Sequence, residues 1–217
     1  MPQRLRFRIS ISLDGYVAGP RQSVENPLGE GGMRLHEWFF PLAVFRRMYG
    51  QEGGTRDEST QLIEEALANA GATIMGRNMF GGHPGPWDER KPWNGWWGRD
   101  PPFHHPVFVL THHPRPPLCL EGGTTFFFVT GGIHAALEQA YHAASGKDVA
   151  LGGGAATGRQ FLAAGLVHQL DLSLVPVLLG AGERLWDGLG PPTIEGLRLV
   201  QAVTVPGKVV HLRLASG

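Results

Sequence analysis

Residues 148–158 read Asp148-Val149-Ala150-Leu151-Gly152-Gly153-Gly154-Ala155-Ala156-Thr157-Gly158: a short apolar run breaks into three glycines and resumes as a small-residue helix start. The run ending at Leu151 has the length of a buried strand, and the stretch after the glycines continues as a helix to about Ala164, closed by Gly165. A strand–glycine–helix unit leaves bare amide N–H groups at the helix start, where an anion is attracted, and lets a ligand approach the backbone closely. The same pattern also makes a tight turn with no ligand, and both readings stand at this point. It is not the G-x-G-x-x-G fingerprint of doubly wound folds, because position 157 is Thr, and Asp171 falls mid-strand rather than at a strand end.

Outward from this unit, strands and helices alternate. Leu5, Phe7, Ile9 and Ile11 alternate with polar residues in LRFRISIS, so one face of a first strand enters a core. A turn at Asp14-Gly15 and a Gly- and Pro-rich loop over 19–32 follow. Helices are expected around Leu35 to Met48 and through Leu62, Ile63, Ala66, Leu67 and Ala70 up to Gly71. Short strands are expected over Ala72 to Met75, Val107 to Thr111, Thr125 to Val129 and residues 169–177. Gly81 to Pro102 reads as an irregular, packed, Trp-rich loop, and Thr130 as the cap of a helix carrying Ile133, Ala136, Leu137, Ala140, Tyr141 and Ala144. Leu197 to Val205 and Lys208 to Leu214, joined at Pro206-Gly207, read as an antiparallel hairpin. The expected fold is α/β: a mainly parallel central sheet with helices on both faces, in one domain spanning 1–217.

Composition bounds the partners. Lys+Arg and Asp+Glu are 19 each, a balance that argues against nucleic acid as the main partner. Cys119 is the only cysteine, so neither an internal disulfide nor a Cys-x-x-Cys pair exists. The N-terminal MPQRLRFRISIS alternates polar and apolar residues, unlike a signal peptide or membrane span, and a cytoplasmic setting is expected. Two other strand ends carry anion-friendly groups, Met75-Gly76-Arg77 and Thr111-His112-His113-Pro114-Arg115. Arg77 suits a phosphate fork or an ordinary surface salt bridge. Open α/β sheets hold ligands at the carboxyl ends of their strands, where all three groups fall.

At these residues the chain resembles the dihydrofolate-reductase-like family that includes the reductase domain of riboflavin biosynthesis. The matching segments are ISISLDGYVAGP, IMGRNMF, PVFVLTHHPRPP and GKDVALGGGAATGRQFLAAGLVHQLDLSLVPVLLGAGERLW. The resemblance implies a dihydrofolate-reductase-like fold with an eight-stranded or similar sheet, a homodimer, and NADPH-dependent reduction of a small heterocyclic or carbonyl substrate, pterin-, folate- or pyrimidine-like. It implies that Gly76 and Arg77 approach the cofactor's phosphates and that Thr111 and His112 lie beside the adenosine 2′-phosphate. Gly152, Gly153, Gly154, Ala155, Ala156 and Thr157 would cradle the pyrophosphate, Val17 and Ala18 would flank the nicotinamide, and the Gly152–Gly153 peptide would be cis. Dihydrofolate reductases carry Thr two residues after the Gly-Arg pair, where this chain has Met79.

The acid–base chemistry is less specified. Reduction needs a proton, for which Glu37 and Asp14 are weak candidates: neither sits in a recognisable motif, and an ordinary surface Glu and an ordinary Asp-Gly turn are the better readings. Trp93-Asn94-Gly95-Trp96-Trp97 suits a pocket wall, and loop packing or a dimer contact explains it about as well. His104-His105 and His112-His113 match no zinc spacing, and no metal is expected. The alternative to an enzyme is a non-catalytic NADP(H)-binding or sensing protein.

Overall fold

A computed structural model describes residues 2–190 and 194–217. The strands are β1 (Leu5–Ser12), β2 (Tyr16–Ala18), β3 (Ala70–Gly76), β4 (Pro106–Leu110), β5 (Leu118–Cys119), β6 (Thr125–Val129), β7 (Asp148–Leu151), β8 (Gln169–Val175), β9 (Glu183–Arg184), β10 (Leu197–Val205) and β11 (Val209–Ser216). The helices are α1 (Ala43–Met48), α2 (Glu58–Asn69), α3 (Arg77–Phe80), α4 (Gly132–Ala143) and α5 (Ala155–Ala163). Nine strands form one sheet in the order β10-β11-β8-β1-β7-β3-β4-β6-β5, and β2 pairs with β9. The six strands from β8 to β6 run parallel, while β5 and the β10–β11 hairpin are antiparallel at the two edges. This is the expected α/β fold with a mainly parallel central sheet, and the C-terminal hairpin lies where the two alternating runs placed it.

Alternation along β1 assigns the two faces. Leu5, Phe7, Ile9 and Ile11 join Ala136, Leu137 and Ala140 of α4 and Phe161 and Leu162 of α5 in the largest core. On the opposite face, two separate clusters cover the flanks of the sheet. Leu35, Trp38, Leu42, Val44 and Ile63 pack on Val175, Val205 and Val209. Phe80 and the Trp-rich loop pack on Met75, Val107, Val109 and Phe126. Between these clusters the middle of that face carries Arg6, Arg8 and Ser10.

Some boundaries differ from the sequence expectation. The segment 35–48 is not one helix: a 3₁₀ turn spans Gly32–Leu35, and α1 begins only after Leu42. Pro41 explains the break, since it lacks an N–H and biases the residue before it away from helical geometry. Thr130 caps nothing, because α4 begins at Gly132 with Gly131 as its N-cap and no side-chain hydrogen bond there. The Gly152–Gly153 peptide is trans, as are all peptide bonds among the described residues. The turn is made instead by Gly154 at φ 99, a conformation open to glycine. Among the described residues, no helix is long and apolar enough to cross a membrane.

Helix α5 lies against β1 because Gly158 has no side chain: a Cβ there would sit 2.4 Å from the ring of Phe7, which is fully buried. Gly158→Val gains a few tenths of a kcal/mol in helix propensity but overpacks a rigid site, at about 1–3 kcal/mol. A net loss of about 2 kcal/mol is expected in urea unfolding; stability equal to the parent would contradict this contact.

Candidate active site

Strand β7 ends early. Leu151 is level with Phe7 of β1 and Ile74 of β3, whereas β1 runs on to Ser12 and β3 to Gly76. The glycine turn is therefore sunk between two longer strands, held by a 2.7 Å hydrogen bond from the Gly152 N–H to the Ile74 carbonyl. Beyond it, the chain departs through α5 toward β8, whereas β3 leads away to β4. Such a reversal of direction opens a crevice at the strand ends.

A cleft of about 1220 Å³ occupies this crevice and continues down the uncovered sheet face. It exceeds the usual 300–1,000 Å³ of a small-molecule pocket. Every residue proposed from the sequence for cofactor binding lines it. Val17 and Ala18 come from β2, Gly76 and Arg77 from the β3–α3 junction, and Thr111 and His112 from the end of β4. Gly152, Gly153 and Gly154 supply the turn, and Ala155, Ala156 and Thr157 the first turn of α5. That helix has no side-chain cap, so its first amide groups remain available to an anion. The residues present fit a nucleotide phosphate.

Arg77 is held in place without an acid. Its guanidinium donates to the carbonyls of Gly81 and His83 and lies 3.5 Å from the centre of the Trp87 ring. Its Nε is buried without a partner. Arg115 lies 5.1 Å from the same ring and donates to the Trp93 carbonyl and the Asn94 side chain. Burial lowers the pKa of both, and for Arg77 the neighbouring Arg115 charge adds to the effect. Neither has an ion pair among the described residues. Arginines positioned by carbonyls and an aromatic face keep their full charge for a ligand.

Trp96 and Trp97 wall the cleft, while Trp93 packs beneath, its Nε1 donating to the Phe80 carbonyl. Both readings of the aromatic run thus hold for different members. Glu37 and Asp14 do not line the cleft. Asp14 accepts from the Ser12 hydroxyl at 2.6 Å and from the backbone N–H groups of Leu179 and Gly180. These bonds, the Ser12 one foremost, hold its carboxyl at about 2 against an ordinary 3.8. It is a turn-fixing carboxylate. The sequence reading did not pick out Arg6, Arg8, Thr73 and Asp148 and set aside His105 and Asp171, all of which also line the cleft. For Arg6 and Arg8 the signal was available: a central parallel strand is normally apolar on both faces, and LRFRISIS is not.

These features define an α/β domain whose ligand cleft lies at the carboxyl ends of its parallel strands. Residues 3–211 match the RibD C-terminal domain model, and the chain belongs to that family. No curated protein sequence matches it. Among solved structures, a protein from Shewanella sp. PV-4 described as a riboflavin biosynthesis protein is similar at 18% identity and TM-score 0.59, covering 99% of both chains. Acinetobacter baumannii RibD is similar at 17% identity and TM-score 0.57. The diaminohydroxyphosphoribosylaminopyrimidine deaminase/5-amino-6-(5-phosphoribosylamino)uracil reductase of Thermotoga maritima is similar at 11% and 0.55. Both cover all of this chain, which spans only 58% and 57% of theirs.

Because the folded-state pKa of Asp14 is depressed, its stabilisation is fully present above about pH 4 and is lost as pH falls through about 2. Asp14→Asn is expected to lower the melting temperature at neutral pH, with the gap to the parent closing on acidification. A gap independent of pH would show that the charge of Asp14 contributes nothing.

Proposed function

We propose that the chain is an NADPH-dependent reductase delivering hydride to a small heterocyclic or carbonyl substrate of pterin, folate or pyrimidine type. The observation that carries this reading is the meeting of three strand ends in one cleft: the glycine turn, Arg77 and Thr111-His112. NADPH, once bound, supplies the hydride. The chain's part is to hold and align. Amide groups of the Gly152–Thr157 segment receive the pyrophosphate, Arg77 with Thr111 and His112 faces the 2′-phosphate, and Val17 and Ala18 pack on the nicotinamide. The Thermotoga neighbour's name specifies a ribosylaminopyrimidine phosphate, which supports the pyrimidine-type reading of the substrate.

The carboxylates of the cleft are already engaged. Asp148 pairs with Arg6, Asp171 with Arg213, and Glu183 lies 3.9 Å from Arg159. We therefore assign the proton to water admitted to the open cleft. The same observation favours a second reading, a protein that binds NADP(H) without turnover. Loss of reduced-nicotinamide absorbance on adding pterins, folates, pyrimidines or carbonyls supports the enzyme, and saturable binding without it supports the second reading. On the family resemblance, we further propose that the chain folds as one domain and works as a cytoplasmic homodimer, which sedimentation velocity tests for assembly.

Arg77→Ala is expected to weaken NADPH about 10- to 100-fold, the worth of one charge-assisted hydrogen bond, and NADH much less. Fluorescence titration of both cofactors reads this directly. Equal losses, or none, would remove Arg77 from the 2′-phosphate.

A further inference from the structure

The cleft wall opposite the Trp-rich loop is carried by the segment that follows the Gly- and Pro-rich loop. The 3₁₀ turn Gly32–Leu35 packs on β1 and β2. Just beyond it, the Trp38 Nε1 donates to the Ser10 hydroxyl at 3.3 Å and to the Leu35 carbonyl at 3.0 Å, which ties the segment to the sheet face. His36 lies between Leu35 and Trp38. Its backbone N–H donates to the Met33 carbonyl, and its carbonyl accepts from the Phe39 N–H. His36 lines the cleft together with Ile9, Ser10, Val17 and Ala18.

The backbone of His36 is satisfied, but its ring is not. Neither ring nitrogen has a hydrogen-bond partner among the described residues, and neither is shut away from solvent. Burial alone lowers the imidazole pKa from its ordinary 6.5, so the ring is neutral at physiological pH and one nitrogen keeps a free lone pair. Such an acceptor is scarce in this cleft. Asp148 pairs with Arg6, Asp171 with Arg213, and Glu183 lies near Arg159. Arg77 and the uncapped amides of α5 can only donate. His104 and His105 already bond through their rings to the Gly122 carbonyl and the Thr73 hydroxyl. His112 and His113 follow the end of β4, beside the groups assigned to phosphate.

We infer that His36 reads the substrate ring, one imidazole nitrogen accepting a hydrogen bond from a ring N–H of a lactam-type heterocycle. Pyrimidines and pterins present such an N–H beside a carbonyl, whereas simple carbonyl compounds do not, so the assignment narrows the substrate class. It rests on the reductase reading for the word substrate, but lactam binding is measurable without turnover. An imidazolium would meet the ring N–H donor to donor, so binding requires the neutral ring.

The test titrates NADP⁺-saturated protein by calorimetry with lumazine and with its doubly N-methylated derivative, which has no ring N–H. Parent, His36→Leu and His36→Gln are compared, and thermal unfolding checks that each is folded. Lumazine is expected to bind the parent more tightly than the derivative does. His36→Leu is expected to weaken lumazine about 10-fold and leave the derivative unchanged, and His36→Gln, whose amide oxygen accepts, to restore part of the loss. Below the folded-state pKa of His36, parent affinity is expected to fall by up to about tenfold per pH unit, and this fall is absent in His36→Gln. The other ionisable groups around His36 are Arg8 of β1, Arg47 of α1, Asp171 of β8, Glu183 of β9 and the flanking Arg34 and Glu37. They remain in the variant with the other histidines, so the difference between the two profiles belongs to His36. Lumazine binding no tighter than that of the derivative, equal binding to parent and His36→Leu, or coincident pH profiles would overturn the assignment; NADP⁺ binding then leaves the reductase reading intact. The titrations are repeated without cofactor. A parent that fails to bind NADP⁺ yet binds lumazine through His36 removes the reductase reading and leaves the lactam site standing.

Discussion

The site depends on where one strand stops. β7 contributes four residues between neighbours of eight and seven, and its last carbonyl-to-amide link to β3 is the bond from Gly152 to Ile74. Such a bond is worth about 1 kcal/mol by itself. Its structural consequence is larger, because it fixes the glycine turn below the rims formed by β1 and β3. A longer β7 would fill the crevice with its own side chains. With β7 cut short, the backbone of the turn becomes the floor, and α5 begins there with uncapped amides.

The parts of the fold legible in the sequence were those written as periodicity. Leu5, Phe7, Ile9 and Ile11 gave the core face of β1, and the pair of alternating runs around Pro206-Gly207 gave the edge hairpin. Local chemistry that depends on distant partners was not legible. Pro41 is visible in the sequence, but the apolar residues around it suggested a continuous helix, and its missing N–H decided otherwise. Thr130 had the residue type of a cap, yet two glycines after it moved the helix start beyond its reach. The trans geometry at Gly152–Gly153 follows the same logic, since Gly154 supplies the turn at low cost.

The residues proposed to face the cofactor line one cleft for a different reason. Strand ends in an open α/β sheet converge by topology, so Gly76, Thr111 and Gly152 needed only correct strand assignment to be brought together. The sheet-face residues were missed because alternation was read only for its apolar half. The polar half, Arg6, Arg8 and Ser10, lies on a strand flanked by parallel neighbours on both sides. A helix packed across that middle would have buried two arginines. Instead the covering layers sit to either side, over Val175 and Val205 on one flank and Met75 and Val107 on the other.

A chain with no net charge can still hold unpaired positive charge at one end of its cleft. An arginine paired bidentately with its own carboxylate offers little to an anionic ligand, because the pair must first be broken. Here Arg77 is oriented by two carbonyls and the face of Trp87, groups that fix a guanidinium without cancelling it. On the sheet face, by contrast, Arg6 pairs with Asp148, and Arg8 and Arg213 share Asp171. The strand-end part of the cleft thus holds positive charge in a fixed position before any ligand arrives. Preorganised charge of this kind favours binding because the reorganisation cost has already been met by the fold.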